Sequence, residues 1–216
     1  MKSRCSFRFF TAFLVLLALF VSSVAWADIK LPAPRMDNKV TLFDALKRRS
    51  SAPGGDFPTA PLSDEDLSDV LWATVGLNRG QKGWTVPMSE GLPPYVDLYA
   101  ALENGVFLYD WKDNILREVS KNDIRAKIGA QRFVASAPCI LILVGNAEAL
   151  SHFKDEAVRK EFAHVAVGAM TQDTYLAAAA LGLGTRYIHS MKLDEIESAL
   201  RLPKEDFTVC LMMLGK

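Results

Sequence analysis

Arg48-Arg49-Ser50 stands where a short helical pattern gives way to a loop rich in glycine and proline, Ser51 to Pro61. Two guanidinium groups and a hydroxyl at such a junction can grip a phosphate, because the planar fork of arginine makes paired, charge-assisted hydrogen bonds. The same residues also suit a solvated helix end that offsets the macrodipole. Leu181-Gly-Leu-Gly-Thr185 closes a long apolar segment. Its glycines let backbone approach a planar ligand, or simply cap a helix ahead of a strand. Gln172 and Asp173 are polar residues in that otherwise apolar segment. Buried polar groups need partners, here either a ligand or another helix. Thr85 to Pro94 brings Ser89 and several backbone amides to a ligand edge, or forms a plain surface loop.

Other chemistries lack their residues. His152, His164 and His189 form neither H-x-x-x-H nor H-E-x-x-H, so no metal site is expected. There is no G-x-S-x-G and no P-loop, which leaves a serine hydrolase or an NTPase without support. Cys139 and Cys210 each lie inside an apolar run and read as two separate buried strand thiols, although an exported domain could pair them.

These residues need elements to hold them. Thr41 caps a short helix with Leu42, Ala45 and Leu46 on its apolar face, and Ser63 caps a second carrying Leu67, Val70, Leu71 and Val75. Tyr95–Leu102 and Val106–Trp111 read as strands joined through Asn104-Gly105, a hairpin signal. A helix is expected at about 121–129, then a strand over Pro138–Gly145 buried on both faces. The longest helix spans about 155–181, apolar over more than one side, which predicts a central helix or a subunit interface. A strand at 185–189, a helix at 193–200 and a strand at 207–214 finish the chain. Helices and strands mix without a strict βαβ repeat, so the class is α+β.

The chain has 216 residues. Lys2, Arg4 and Arg8 precede an apolar run from Phe9 to Val21, and Ala25-Trp-Ala27 follows. That is a secretory leader with its cleavage site after Ala27, and its apolar core is short of the roughly 20 residues that span a bilayer. Residues 28–39 read as an extended lead-in and 40–216 as one domain. Without the three basic residues of the leader, 22 of the 25 Lys and Arg remain against 25 Asp and Glu. A net charge of −3 does not advertise nucleic acid or an anionic membrane as partner. The expected location is the periplasm or the medium, with no membrane span in the mature chain.

Taken in order, several short motifs resemble the flavin-dependent nitroreductase family, and especially its short, thiazole-oxidase-like (SagB-type) dehydrogenases. They are Ala45-Leu-Lys-Arg-Arg-Ser50, Leu62-Ser-x-x-Asp-Leu-Ser-x-x-Leu-Trp-Ala73, Gly76-Leu-Asn-Arg79 and Thr85-Val-Pro87. Asp97-Leu-Tyr99, Gly105-Val-Phe-Leu-Tyr-Asp110, Phe133-Val-Ala-x-Ala-Pro138, Gly168-Ala-x-x-Gln172, Leu181-Gly-Leu-Gly-Thr185, Leu200-x-Leu-Pro203 and Gly215 continue the series. The similarity covers Val40 to Gly215.

The resemblance implies a central mixed or antiparallel sheet flanked by helices, a homodimer, and FMN held non-covalently at the dimer interface. By that resemblance Arg48, Arg49 and Ser50 face the ribityl phosphate and Ser89 lies near the ribityl or ring edge. Tyr187, Ile188, His189 and Ser190 run along the isoalloxazine with amides toward its polar edge. Gln172 matches the family's glutamine on the long helix. FMN would carry two electrons from an unknown donor to an unknown small oxidised substrate. Three positions depart from the family pattern. Ala52 stands where a basic residue is usual, the 87–92 loop reads Pro-Met-Ser-Glu-Gly-Leu, and Asp173 replaces asparagine. The family's basic C-terminal arm is absent, and Lys216 is expected to substitute in part. The other reading is a flavin-free relative that uses the dimeric fold as a binding or structural module.

Overall fold

The computed structural model describes residues 27–216. Of the leader expected over residues 1–27, all but Ala27 lies outside the described residues. Seven strands form one sheet: β1 Ile29–Lys30, β2 Val96–Leu102, β3 Gly105–Asp110, β4 Ile115–Ser120, β5 Cys139–Gly145, β6 Gly184–Ile188 and β7 Phe207–Gly215. Their order is β1-β4-β3-β2-β5-β7-β6, and every pairing is antiparallel. The α-helices among the described residues are α1 Leu42–Arg48, α2 Asp64–Val75, α3 Arg125–Ile128, α4 Glu156–Leu181 and α5 Leu193–Leu200.

Both sheet faces are covered, so β5 at the centre is buried along its whole length. On one face, Leu141, Leu143 and Met212 meet α2 and α4 through Leu67, Leu71, Ala166 and Met170. On the other, Ile140, Ile142 and Leu211 meet the layer of Ile128, Ile196 and Leu200 from α3 and α5. This explains the continuous apolar run of β5, which has no solvent side to alternate with.

Local chemistry sets the helix ends. The Asp44 amide donates to Thr41 Oγ1 and the Asp66 amide to Ser63 Oγ, both at 3.1 Å, which satisfies donors left over in the first turns. α4 stops at Gly182, which takes the left-handed conformation at φ 71°, a shape that costs glycine least.

One expected element needs correction. The helix at 121–129 shrinks to Arg125–Ile128 because side chains claim the preceding backbone. The Asn122 amide donates to Ser120 Oγ, and the Arg125 amide and Nε donate to Asp123 Oδ1, bonds that compete with helix. A strand that the alternation did not reveal, β4, pairs with β3 across a turn in which Asn114 adopts φ 52°. The thiols are free and buried. Cys139 sits opposite Leu214 and Cys210 opposite Leu143, about four strand steps apart, on the order of 13 Å. Burial pushes both thiols up to about 12. Among the described residues, no helix is long and apolar enough to cross a membrane.

Candidate functional site

β6 is the last strand of the sheet, so one of its edges is open. The segment after α1 lies along that edge. The Arg49 amide closes α1 by donating to the Ala45 carbonyl at 2.8 Å. Ala52 then donates its amide to the Thr185 carbonyl at 2.9 Å, and Arg186 Nη1 donates to the Ala52 carbonyl at 2.9 Å. Residue 52 is thus fixed through both of its backbone groups.

Tyr175 of α4 joins these pieces. Its hydroxyl accepts from the Tyr187 amide at 2.9 Å and shares a hydrogen bond with Ser51 Oγ at 2.8 Å. The Arg49 guanidinium lies 5.2 Å from the centre of its ring, a cation–π contact. Between helix, loop and strand is a cleft of about 40 Å³, bounded by Arg48, Ser50, Ala52, Tyr175, Gly184 and Thr185. That space admits a few atoms but no ring system, since one water needs roughly 10–15 Å³ of such volume. The side chains of Arg48 and Ser50 make no hydrogen bond or ion pair among the described residues. Thr185 Oγ1 is buried and has no hydrogen-bond partner. Anionic or polar atoms of a ligand are what such a donor set can hold.

The sequence pattern of the nitroreductase family matches residues 46–216, from the end of α1 to the end of the chain. The chain belongs to the nitroreductase family. Its members are flavin-dependent oxidoreductases. A nitroreductase of Methanocaldococcus jannaschii is 29% identical over 188 residues, 82% of this chain and 92% of that protein. A nitroreductase structure from Ralstonia eutropha JMP134 superposes with a TM-score of 0.81 at 29% identity, covering 88% of this chain and 89% of that one. The NADPH:FMN oxidoreductase of Vibrio harveyi, solved with NAD+, shares the fold at a TM-score of 0.55 and 18% identity, over 81% of this chain and 67% of that one.

In this nitroreductase-family chain, the expected site residues separate into three places. Arg48, Arg49, Ser50 and Tyr187 gather around Tyr175, and Gln172 sits exposed one helical turn before it. The Tyr187 amide is occupied by the Tyr175 hydroxyl. By strand alternation the next amide on the open edge belongs to His189, whose side chain, like that of Ser190, is exposed. The Ile188 side chain is buried in the second core, and the Ser190 carbonyl accepts from the Ala130 amide.

Ser89 lies elsewhere. Its amide and hydroxyl meet Tyr95 Oη at 3.4 and 3.3 Å, and its neighbour Glu90, at φ 55°, reaches His152 Nε2 at 3.5 Å. His152 precedes α4, whereas Tyr175 is near its far end. At 1.5 Å per residue, that places Ser89 and the cleft about 30 Å apart along the helix. One chain does not bring them together. Lys216 turns its ammonium to Asp66 at 2.9 Å, where Arg35 also binds at 2.7 Å. Burial pushes the Asp66 carboxyl up, but the hydrogen bonds from Lys216 and Arg35 outweigh it and hold the group below the usual carboxylate range. Lys216 therefore ties the end of β7 to the first turn of α2, where Arg35 of the lead-in also binds, and not to the cleft.

Asp173 is half-buried, and burial pushes its carboxyl up to about 6. Against an unfolded value of about 3.9, this raised group contributes stability that is whole below about pH 4 and lost as pH rises to about 6. Asp173→Asn should therefore stabilise the protein at pH 7 by on the order of 1 kcal/mol after allowance for solvent screening. Calorimetry should show Tm higher by about 2–4 °C at pH 7 and unchanged at pH 4. Equal shifts at both pH values would remove the carboxylate from the explanation.

Among the described residues, no group of three His, Cys, Asp or Glu side chains is placed to hold a metal ion. Sequence reasoning named Thr185 only as the end of the Leu181–Thr185 motif and did not reach Tyr175 or Arg186. Tyr175 offered one signal, a hydroxyl in an apolar helix like the amide of Gln172, and Arg186 offered none.

Proposed function

We infer that this chain is an exported, FMN-dependent oxidoreductase of the short SagB-type branch, working as a homodimer on a small oxidised substrate. The observation that carries the reading is the cleft, in a nitroreductase-family fold, where unpaired Arg48 and Ser50 stand beside the open edge of β6. Those residues fit the ribityl phosphate in charge and size. When bound, FMN supplies two-electron redox chemistry between a donor and the substrate. Arg48 and Ser50 would donate to the phosphate. Arg49 keeps Tyr175 in place, and Tyr175 sets the spacing between loop and strand. The His189 amide faces outward toward the ring's polar edge, with Tyr187 and Gln172 beside it.

Ser89 enters this reading only through a second copy. On the packed helices α1 and α4, Leu42, Phe43, Leu46 and Val165 remain exposed, Phe43 by 80%. Antiparallel association of two α4 helices would cover them and carry the partner's loop at 87–92 to the cleft. Light scattering at micromolar concentration should give twice the chain mass, and Phe43→Asp should give a monomer. A wild-type monomer would count against any site shared between copies.

The export reading rests on the residue pattern of 1–27 and includes cleavage at Ala27. Outside the cytoplasm the electron donor need not be a nicotinamide. Purification from the cell envelope tests the whole proposal. We expect an intact mass that begins at Asp28 and a yellow protein with flavin absorption, or one that turns yellow with added FMN. Colourless protein that takes up no FMN would mark a flavin-free relative.

A further inference from the structure

We propose that Thr185 is a phosphate-binding residue, acting with Arg48 and Ser50 in the cleft beside β6 and standing in for the basic residue absent at position 52. The proposal rests on the flavin reading for the identity of the ligand. Its evidence is independent of it.

Thr185 is 3% exposed, and its hydroxyl has neither solvent access nor a hydrogen-bond partner. Folded proteins leave few such groups, because a buried hydroxyl loses its water without compensation. Three other buried side-chain atoms share that state: Trp84 Nε1, Glu118 Oε1 and Thr208 Oγ1. Glu118 has Lys121 Nζ at 4.0 Å. Thr185 is the one that shares a cleft with Arg48 and Ser50, themselves without hydrogen bonds or ion pairs among the described residues. Three residues with unpaired side-chain donors therefore line one space of about 40 Å³, with the Thr185 hydroxyl set back in its wall. A compact anion with several acceptor oxygens suits three donors, whereas a carboxylate or a water suits fewer.

The walls are held in place. Thr185 uses its carbonyl to fix Ala52, Arg186 holds the Ala52 carbonyl, and Tyr175 ties Ser51 to Tyr187. Adding an arginine at 52 is one way to bind a phosphate here. A hydroxyl already desolvated on the opposite wall is another, and it costs no long side chain its freedom.

The test is Thr185→Val, which keeps the shape and removes the hydroxyl. Apo protein is titrated with FMN and with riboflavin, which lacks the phosphate, and inorganic phosphate is added as competitor. The variant should bind FMN about tenfold more weakly, the effect of one hydrogen bond to a charged group. Riboflavin affinity should not change, and phosphate should displace FMN but not riboflavin. The apo variant should melt no lower than wild type, since an unpaired buried hydroxyl has gone. Thr185→Ser should restore FMN binding. If valine disturbs the strand, Thr185→Ser against Thr185→Ala isolates the hydroxyl. Equal FMN affinity, or parallel loss of FMN and riboflavin, overturns the proposal. Phosphate binding without FMN binding supports the Thr185 site and overturns the flavin reading. Wild type that binds neither overturns both.

Discussion

Arg48→Ala is expected to weaken FMN binding by about 1.5–3 kcal/mol, roughly ten- to a hundred-fold, or to abolish it. The argument is electrostatic. The phosphate carries close to two negative charges at neutral pH, so its site must supply donors before it can shed water. Arg48 borders the cleft and is exposed, and among the described residues its guanidinium has no hydrogen bond or ion pair. Its removal orphans nothing in the folded protein, so stability should stay within about 0.5 kcal/mol of wild type. Arg49→Ala should behave differently. That guanidinium lies over the Tyr175 ring, and its loss removes about 0.5–1 kcal/mol of cation–π attraction with a smaller effect on FMN. Ala52→Arg should strengthen binding by less than Arg48→Ala weakens it, because the new side chain must be ordered and Ala52 packs partly against the second core. Titration by flavin fluorescence separates the four proteins. Equal affinities would reduce Arg48-Arg49-Ser50 to a solvated helix end.

Most of the elements were legible because their signals are local. Thr41 and Ser63 announce helix starts through their own side chains, Asn104-Gly105 announces the β2–β3 turn, and Gly182 ends α4. β4 stayed hidden because its turn uses Asn114 in place of glycine, and because Arg117 and Glu118 interrupt its apolar pattern. The charge of Arg117 is answered by Asp110 and Asp28, the latter from the lead-in. The site was legible only in part, for the same reason. From their types alone, Arg48 and Ser50 read as either a phosphate grip or a solvated helix end. The pairing of Thr185 with Ala52, of Tyr175 with Ser51 and of Lys216 with Asp66 joins residues more than a hundred positions apart. No spacing rule reaches that far. Ser89 shows the converse: chain order placed it in the site, and the 26-residue span of α4 separates it from the cleft of its own chain.

Gly215→Ala is expected to destabilise the protein by about 1–3 kcal/mol or more and to loosen the cleft with it. Gly215 pairs with Gly184 across β7 and β6, and Pro58 lies over both. A Cβ at 215 would strike the Pro58 carbonyl oxygen, and one at 184 would strike the Pro58 ring. Neither obstacle is the free end of a flexible side chain. One is backbone, and the other is a closed ring on a segment fixed by reciprocal hydrogen bonds between Ala60 and Lys216. The pair of glycines is thus a floor for the chain that runs on from Arg48 through Ala52, which links Gly215 to the cleft beside β6. Urea unfolding should show a lower midpoint at unchanged slope, and FMN affinity should fall in parallel, unlike in Thr185→Val. Gly55→Ala is the control. It lies in the same loop with nothing within 4 Å of the added methyl, and its midpoint should match wild type. A Gly215→Ala protein with wild-type midpoint would mean that the 57–60 segment yields without cost, and that the cleft does not depend on its docking.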